Sequence, residues 1–83
     1  EKFIVFPNPT QDFIIFESLK LSEKPGSIMI SDMKGVVLKE VVIQPNSKRN
    51  VIDISHFVPG MYTLRIKYVD AKATTQLIYK SDK

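Results

Sequence analysis

The feature that most constrains the fold is an alternating stretch that begins at Gly60 and ends at Val69. Within it, apolar residues occupy every second position, at Tyr62, Leu64, Ile66 and Tyr68. A period of two places these side chains on one face of a strand and the polar residues between them on the other. The stretch is also rich in the β-branched and aromatic residues that suit a pleated surface. It predicts a central strand whose apolar face is turned to the core.

Six further apolar segments, each bounded by turn residues, predict strands at residues 3–6, 13–19, 27–31, 36–43, 51–54 and 73–80. Asp32 and Gly35 occupy the first and fourth positions of a predicted type I turn. Residues 55–58 predict one turn of helix or of 3₁₀ helix, with Ser55 as its cap. Seven short strands about ten residues apart, with no long helical pattern, predict an antiparallel β-sandwich, and an open barrel is the alternative.

Composition limits the classes of protein to which the chain can belong. Its 83 residues are enough for one domain. The absence of cysteine excludes disulfides, thiolate metal sites and thiol nucleophiles. The lysines behind the net charge of +3 are scattered, whereas a nucleic-acid footprint requires a cluster. No apolar run reaches the roughly 20 residues that cross a bilayer. Because neither an initiator methionine nor a signal peptide precedes Glu1, we expect the chain to be a fragment of a larger protein.

No pattern in the chain indicates a catalytic, metal or cofactor site. His56 lies beside Ser55 and near Asp53, but neighbours in a tight turn point in different directions, whereas catalytic triads assemble from separate loops. No aspartate lies in a calcium-binding loop, and the three glycines are all explained by turns. We therefore predict a domain that is not an enzyme and binds no cofactor or metal.

Four motifs occur in order along the chain: Phe6-Pro7-Asn8-Pro9, residues 30–35 with the sequence ISDMKG, residues 52–55 leading to Pro59-Gly60-Met61-Tyr62, and the ending TQLIYK at residues 75–80. Taken together, they resemble the C-terminal sorting domain of type IX secretion cargo in Bacteroidetes. The resemblance covers nearly the whole chain. It departs from the family pattern at Ser31, at Met61 and in the three residues after Lys80.

The resemblance implies an all-β, seven-stranded, antiparallel, immunoglobulin-like β-sandwich. Residues 1–83 would be a single C-terminal sorting domain that directs an N-terminal passenger domain across the outer membrane. The implied partners are the outer-membrane translocon and a sortase-like protease that removes the domain after export. The implied location is the periplasm in transit and then the cell surface or the medium. Neither nucleic-acid binding nor a membrane span is expected.

Ten residues are the candidates for recognition by that machinery: Pro7, Asn8, Pro9, Asp32, Gly35, Gly60, Tyr62, Leu77, Ile78 and Lys80. A purely structural role is open for Asp32 and Gly35 as turn residues, for Gly60 at a bend and for Tyr62 in the core. Lys80, by contrast, has no evident role in folding. An exposed final strand could be read by strand addition. We therefore expect residues 77–80 and the neighbouring residues 60–62 to form much of the recognised surface.

The sequence leaves two other functions open. A carbohydrate-binding or adhesive β-sandwich appended to an enzyme would present two or three exposed aromatic residues in one plane, and the chain has no tryptophan. A single-strand nucleic-acid binder of the open-barrel type is suggested by the basic charge and the aromatic residues. The scattered lysines argue against it.

Overall fold

The computed structural model describes residues 3–81, which form two antiparallel sheets packed face to face. The strands are β1 Phe3–Phe6, β2 Phe13–Ser18, β3 Gly26–Asp32, β4 Val37–Ile43, β5 Arg49–Asp53, β6 Gly60–Tyr68 and β7 Thr74–Lys80. One sheet has the order β1-β2-β5 and the other has the order β4-β3-β6-β7. The predicted seven-stranded sandwich is confirmed, and the alternative of an open barrel is wrong because the strands form two separate sheets.

The core lies between the sheets and consists of inward-facing strand residues. Its buried members are Ile14, Phe16, Ile28, Ile30, Ile43, Ile52, Ile54, Tyr62, Leu64, Ile66 and Ile78. Isoleucine dominates because its branched, stiff side chain packs well on a pleated surface. The inward face predicted for β6 is confirmed: Tyr62, Leu64 and Ile66 are buried, and Tyr68 packs against the core from its margin.

Of the two forms predicted for residues 55–58, the structure has a single turn of the 3₁₀ type and no α-helical turn. The N–H of Phe57 donates to the carbonyl of Ile54 at 3.0 Å, which closes a single turn before the chain continues to β6. Ser55 is not a cap; its own N–H donates to Oδ1 of Asp53 at 2.9 Å. A carboxylate two residues upstream offers this N–H a local partner in place of a helical one.

The segment that follows β1 connects the two sheets. After pairing with β2, the chain runs through residues 7–10, called here the elbow, to the outer edge of β7. There the N–H of Thr10 donates to the carbonyl of Tyr79 at 2.9 Å, and the N–H of Ser81 donates to the carbonyl of Thr10 at 2.7 Å. The elbow therefore lies side by side with the end of β7.

Candidate recognition site

The residues of the sequence motifs lie together at one end of the four-stranded sheet. Tyr62 on β6 pairs with Asp32 on β3 and with Ile78 on β7. Gly60 pairs with Lys80 where β6 begins and β7 ends. The elbow follows the outer edge of β7. We call this region the motif end. The fold therefore brings together residues from both ends of the sequence.

The Asp32 turn is built as the sequence predicts. The N–H of Gly35 donates to the carbonyl of Asp32 at 3.0 Å. Oδ1 of Asp32 accepts the N–H groups of Lys34 and Val36 at 2.9 and 3.0 Å. Gly35 has a backbone φ of 91°, a left-handed conformation that residues other than glycine rarely adopt. The motif's aspartate and glycine therefore close and shape a hairpin turn.

Tyr62 packs under this turn, with its ring in the core. Its hydroxyl donates to the carbonyl of Val58, and its ring centroid lies 5.1 Å from that of Phe57. Burial raises the pKa of the Tyr62 phenol, and the nearby negative charge of Asp32 raises it further. Gly60, two residues earlier, has φ of 149°, again in a region that favours glycine.

A shallow cleft of about 470 Å³ opens beside these residues and is lined by Asp32, Leu38, His56, Phe57, Val58 and Tyr62. Its polar groups are already engaged, since the Asp32 carboxylate holds its own turn and the Tyr62 hydroxyl bonds to the backbone. His56 is exposed, and its Nδ1 lies 3.4 Å from the hydroxyl of Ser55. The carboxylate of Asp53 accepts the Ser55 N–H and does not orient the imidazole. The cleft therefore lacks the linked nucleophile, base and carboxylate of a triad.

Asn8 closes much of the outer edge of β7. Its Nδ2 donates to the carbonyl of Leu77 at 3.2 Å, and its Oδ1 accepts the N–H of Tyr79 at 3.0 Å. The side-chain amide thus takes the place of a peptide group in a neighbouring strand. Pro7 and Pro9, which flank it, follow cis peptide bonds.

The expectation that the final strand offers a free edge is therefore wrong over its last residues. Together, Asn8 and Thr10 occupy the outward backbone groups from the carbonyl of Leu77 to the N–H of Ser81. A partner strand could add there only after displacing the elbow. The sequence contains a hint of this arrangement only in the asparagine placed between two prolines.

The structure divides the ten candidate residues into buried and exposed groups. Ile78 and Lys80 join Tyr62 among the buried residues, with exposed fractions of 0% and 6%. Lys80 is therefore largely covered by the rest of the domain, and the apolar stem of a lysine makes such burial less costly. Leu77 is 50% exposed, and the three elbow residues Pro7, Asn8 and Pro9 are exposed as well.

Leu77 belongs to a small apolar patch within the predicted surface of residues 60–62 and 77–80, although the other two members of the patch are not among the ten candidates. Met61 and Tyr79 pair directly across β6 and β7 and are 41% and 43% exposed. Leu77 lies on the same outward face, two residues from Tyr79. We call Met61, Leu77 and Tyr79 the end patch. The alternation could have revealed it, because an inward Tyr62 and Ile78 require outward neighbours.

The two packed antiparallel sheets, joined by the elbow, define a small immunoglobulin-like β-sandwich. The chain superposes with a TM-score of 0.81 on a DUF3244-family protein with an immunoglobulin-like β-sandwich fold from Bacteroides vulgatus. The two are 25% identical, and the match covers 96% of this chain and 85% of that one. No curated protein matches the chain significantly. The family model of the secretion system C-terminal sorting domain matches residues 4–80, and the chain belongs to this family.

Membership in this family makes the domain a secretion signal and not a catalyst. Its role is to direct export across the outer membrane, to the cell surface or the medium, by the type IX system. The predicted family, fold and role are thus confirmed. The part of the chain that the structure describes contains no helix able to span a membrane.

The carbohydrate-binding alternative finds no support in the positions of the aromatic side chains. Among the described residues, the aromatic side chains exposed by more than a third are Phe13 and Tyr79. Phe13 is on β2 and Tyr79 is on β7, so they belong to different sheets and do not share a plane.

Proposed function

We propose that the secretion machinery recognises this domain in its folded form, through the exposed part of the motif end. The supporting observation is the division of the ten motif residues. Asp32, Gly35 and Gly60 shape backbone turns, whereas Tyr62, Ile78 and Lys80 are buried. These residues specify the fold, and their side chains offer a partner little surface.

The remaining four motif residues form one surface on and beside β7. Pro7, Asn8 and Pro9 cover its edge, and Leu77 projects from its outer face within the end patch. A partner that docks here contacts apolar side chains and proline rings, because the backbone edge is already paired. This favours an apolar surface on the translocon over an added strand.

In the full pathway, residues 1–83 act as the C-terminal domain of a larger secreted protein. An N-terminal passenger domain in the same chain is the cargo, and the outer-membrane translocon is the receptor. The domain is folded in the periplasm during transit. A sortase-like protease then removes it on the N-terminal side of the sandwich, and the passenger remains at the surface or is released. Family membership supports this sequence of events.

A charge placed on the end patch tests the proposed surface. Residues 1–83 are fused behind a signal peptide and a fluorescent passenger in a Bacteroidetes strain with an intact type IX system. Leu77→Glu introduces a carboxylate at a position that is 50% exposed. Val42→Glu is the matched control, 58% exposed on the outer face of the same sheet but far from the motif end. Thermal unfolding of both purified variants checks that they fold.

We expect Leu77→Glu to leave the fluorescence in the periplasm, with export reduced at least tenfold, and Val42→Glu to be exported like the original sequence. If folded Leu77→Glu is exported normally, the end patch is not the recognised surface. Equal retention of both variants would also contradict the proposal, because the effect would then follow from charge at any outward position.

A further inference from the structure

The outer face of the three-stranded sheet is more apolar than a solvated face requires. By alternation, the side chains that point away from the core belong to Ile4, Phe6, Phe13, Ile15, Glu17, Arg49, Val51 and Asp53. Antiparallel sheets commonly have one face on the core and one polar face in water. Five of these eight residues are apolar, and Ile4, Phe13 and Val51 are 44%, 51% and 60% exposed. We call these eight residues the outer face.

The apolar side chains of the outer face form a row across the sheet. Phe6 pairs with Ile15, and Ile15 pairs with Val51, so the row crosses all three strands. Two further apolar residues flank it, Ile4 on one side and Phe13 on the other. Exposed apolar clusters of this kind on small proteins commonly mark contact surfaces.

Charges of opposite sign lie at equal distances from this row. On β5, Arg49 precedes Val51 by two residues and Asp53 follows it by two. At the Arg49 end, Nη2 of Arg49 lies 3.1 Å and Nζ of Lys48 lies 3.7 Å from the carboxylate of Glu17, so two cations face one anion. At the other end Asp53 is exposed, and the Ser55 N–H that it accepts lowers its pKa, so it is ionised at neutral pH.

We propose that the outer face binds a second copy of this chain, sheet against sheet, about a two-fold axis that runs along the row of Phe6, Ile15 and Val51. This rotation reverses the strand direction, so each residue of the row meets its own copy. Arg49 of each chain then lies opposite Asp53 of the other. Two-fold pairing is the commonest form of self-association, and aligned sheets pack about 10 Å apart.

Glu17, the remaining charged residue of the outer face, is compatible with this arrangement. Glu17 lies opposite Phe13 of the other copy, and its carboxylate is already paired within its own chain by Arg49 and Lys48.

The exposed apolar area of the outer face is about a few hundred Å² per chain, below the roughly 800 Å² per partner of a standard interface. Pairing is therefore expected to be weak and to rise with protein concentration. It leaves the motif end free and does not depend on the proposed recognition surface.

Sedimentation of the purified 83-residue chain across a hundredfold range of concentration tests the proposal. We expect the mass to rise from monomer toward dimer. Val51→Arg should weaken association at least tenfold, because it places two cations against each other at the axis. Val42→Arg is the control, with nearly the same exposure on the other sheet (58% against 60%), and should behave like the original sequence. Circular dichroism confirms folding in each case.

A charge-reversal mixture tests the arrangement of the two copies. Arg49→Asp alone and Asp53→Arg alone should each remain monomeric, since each sets like charges across the axis. An equimolar mixture should form heterodimers, which unfolded variants could not do. A wild-type chain that stays monomeric up to about 1 mM, in the weak-affinity range, would overturn the proposal. A Val51→Arg variant that associates like wild type, or a mixture that stays monomeric, would overturn it as well.

Discussion

Tyr62 illustrates how a motif residue can serve the fold alone. Its ring is part of the core and its hydroxyl is bonded to the backbone carbonyl of Val58, so almost none of it is available to a partner. Asp32 is similar, because its carboxylate is used by two N–H groups of its own turn. The side chains of these two residues therefore act mainly within the fold.

Replacing Tyr62 by phenylalanine removes the hydroxyl and keeps the ring. We expect the free energy of unfolding at neutral pH to fall by about 1 kcal/mol, the usual net value of a hydrogen bond. Tyr79→Phe is the control, because its side chain is 43% exposed, and we expect little change. Urea unfolding of the three proteins measures the difference.

The pH dependence of the same variants gives a second readout. The fold raises the pKa of Tyr62 above the ordinary value of 10.0, so the neutral phenol is the stabilised form. Its contribution is fully present below pH 10 and is lost as the pH rises through the higher pKa of the folded state. The stability gap between the original sequence and Tyr62→Phe should therefore narrow above pH 10. A gap that stays constant up to pH 11 would contradict the assignment, provided that the protein remains folded.

The elbow is the element that gives the sandwich its closed edge. An edge strand with free N–H and carbonyl groups invites pairing with other chains. Here residues 7–10 cover the end of β7 with two backbone bonds from Thr10 and two side-chain bonds from Asn8. The proline-asparagine-proline motif therefore has a physical role that does not depend on recognition.

Replacing Asn8 by alanine should open this edge. The two lost hydrogen bonds leave Leu77 and Tyr79 backbone groups facing water, so we expect a stability loss of about 1–2 kcal/mol. Amide hydrogen exchange is the sharper measurement: the Tyr79 N–H should exchange at least tenfold faster in the variant. The Leu64 N–H, on the central strand β6, should change only as far as global stability does. Unchanged protection at Tyr79 would show that the asparagine does not hold the edge.

Local patterns predicted the strands well because the evidence for each strand lies within a few residues. The alternation at residues 60–69 and the Asp32 turn needed no knowledge of the rest of the chain. The prediction of Ser55 as a cap is wrong because the side chain of Asp53, two residues earlier, accepts the Ser55 N–H. Such competition between side chain and helix is difficult to resolve from sequence.

The candidate site was less predictable because its contacts join distant parts of the chain. Asn8 bonds to the backbone of Leu77 and Tyr79, which are 69 and 71 positions away in the sequence. This pairing depends on how the two sheets pack together. Lys80 was expected at the recognised surface because it has no evident role in folding, yet it is only 6% exposed. The end patch lies within the ranges predicted for that surface, but Met61 and Tyr79 were not among the ten candidates, because the motifs drew attention to Tyr62 and Ile78, whose side chains point inward.

As a whole, the molecule has the features expected of a folded secretion signal. It is small, contains no cysteine, and carries its motif residues at one end, where Thr10 pairs with Lys80. Family membership assigns the secretion role, and the end patch and the elbow are the surfaces that we propose for its recognition.

The most direct measurement follows a fluorescent passenger fused, behind a signal peptide, to residues 1–83. The fusion is expressed in a Bacteroidetes strain with an intact type IX system and in a matched strain that lacks the translocon. We predict fluorescence outside the cells of the first strain and in the periplasm of the second. Periplasmic retention in both strains, with the domain shown to be folded by protease resistance, would contradict the account.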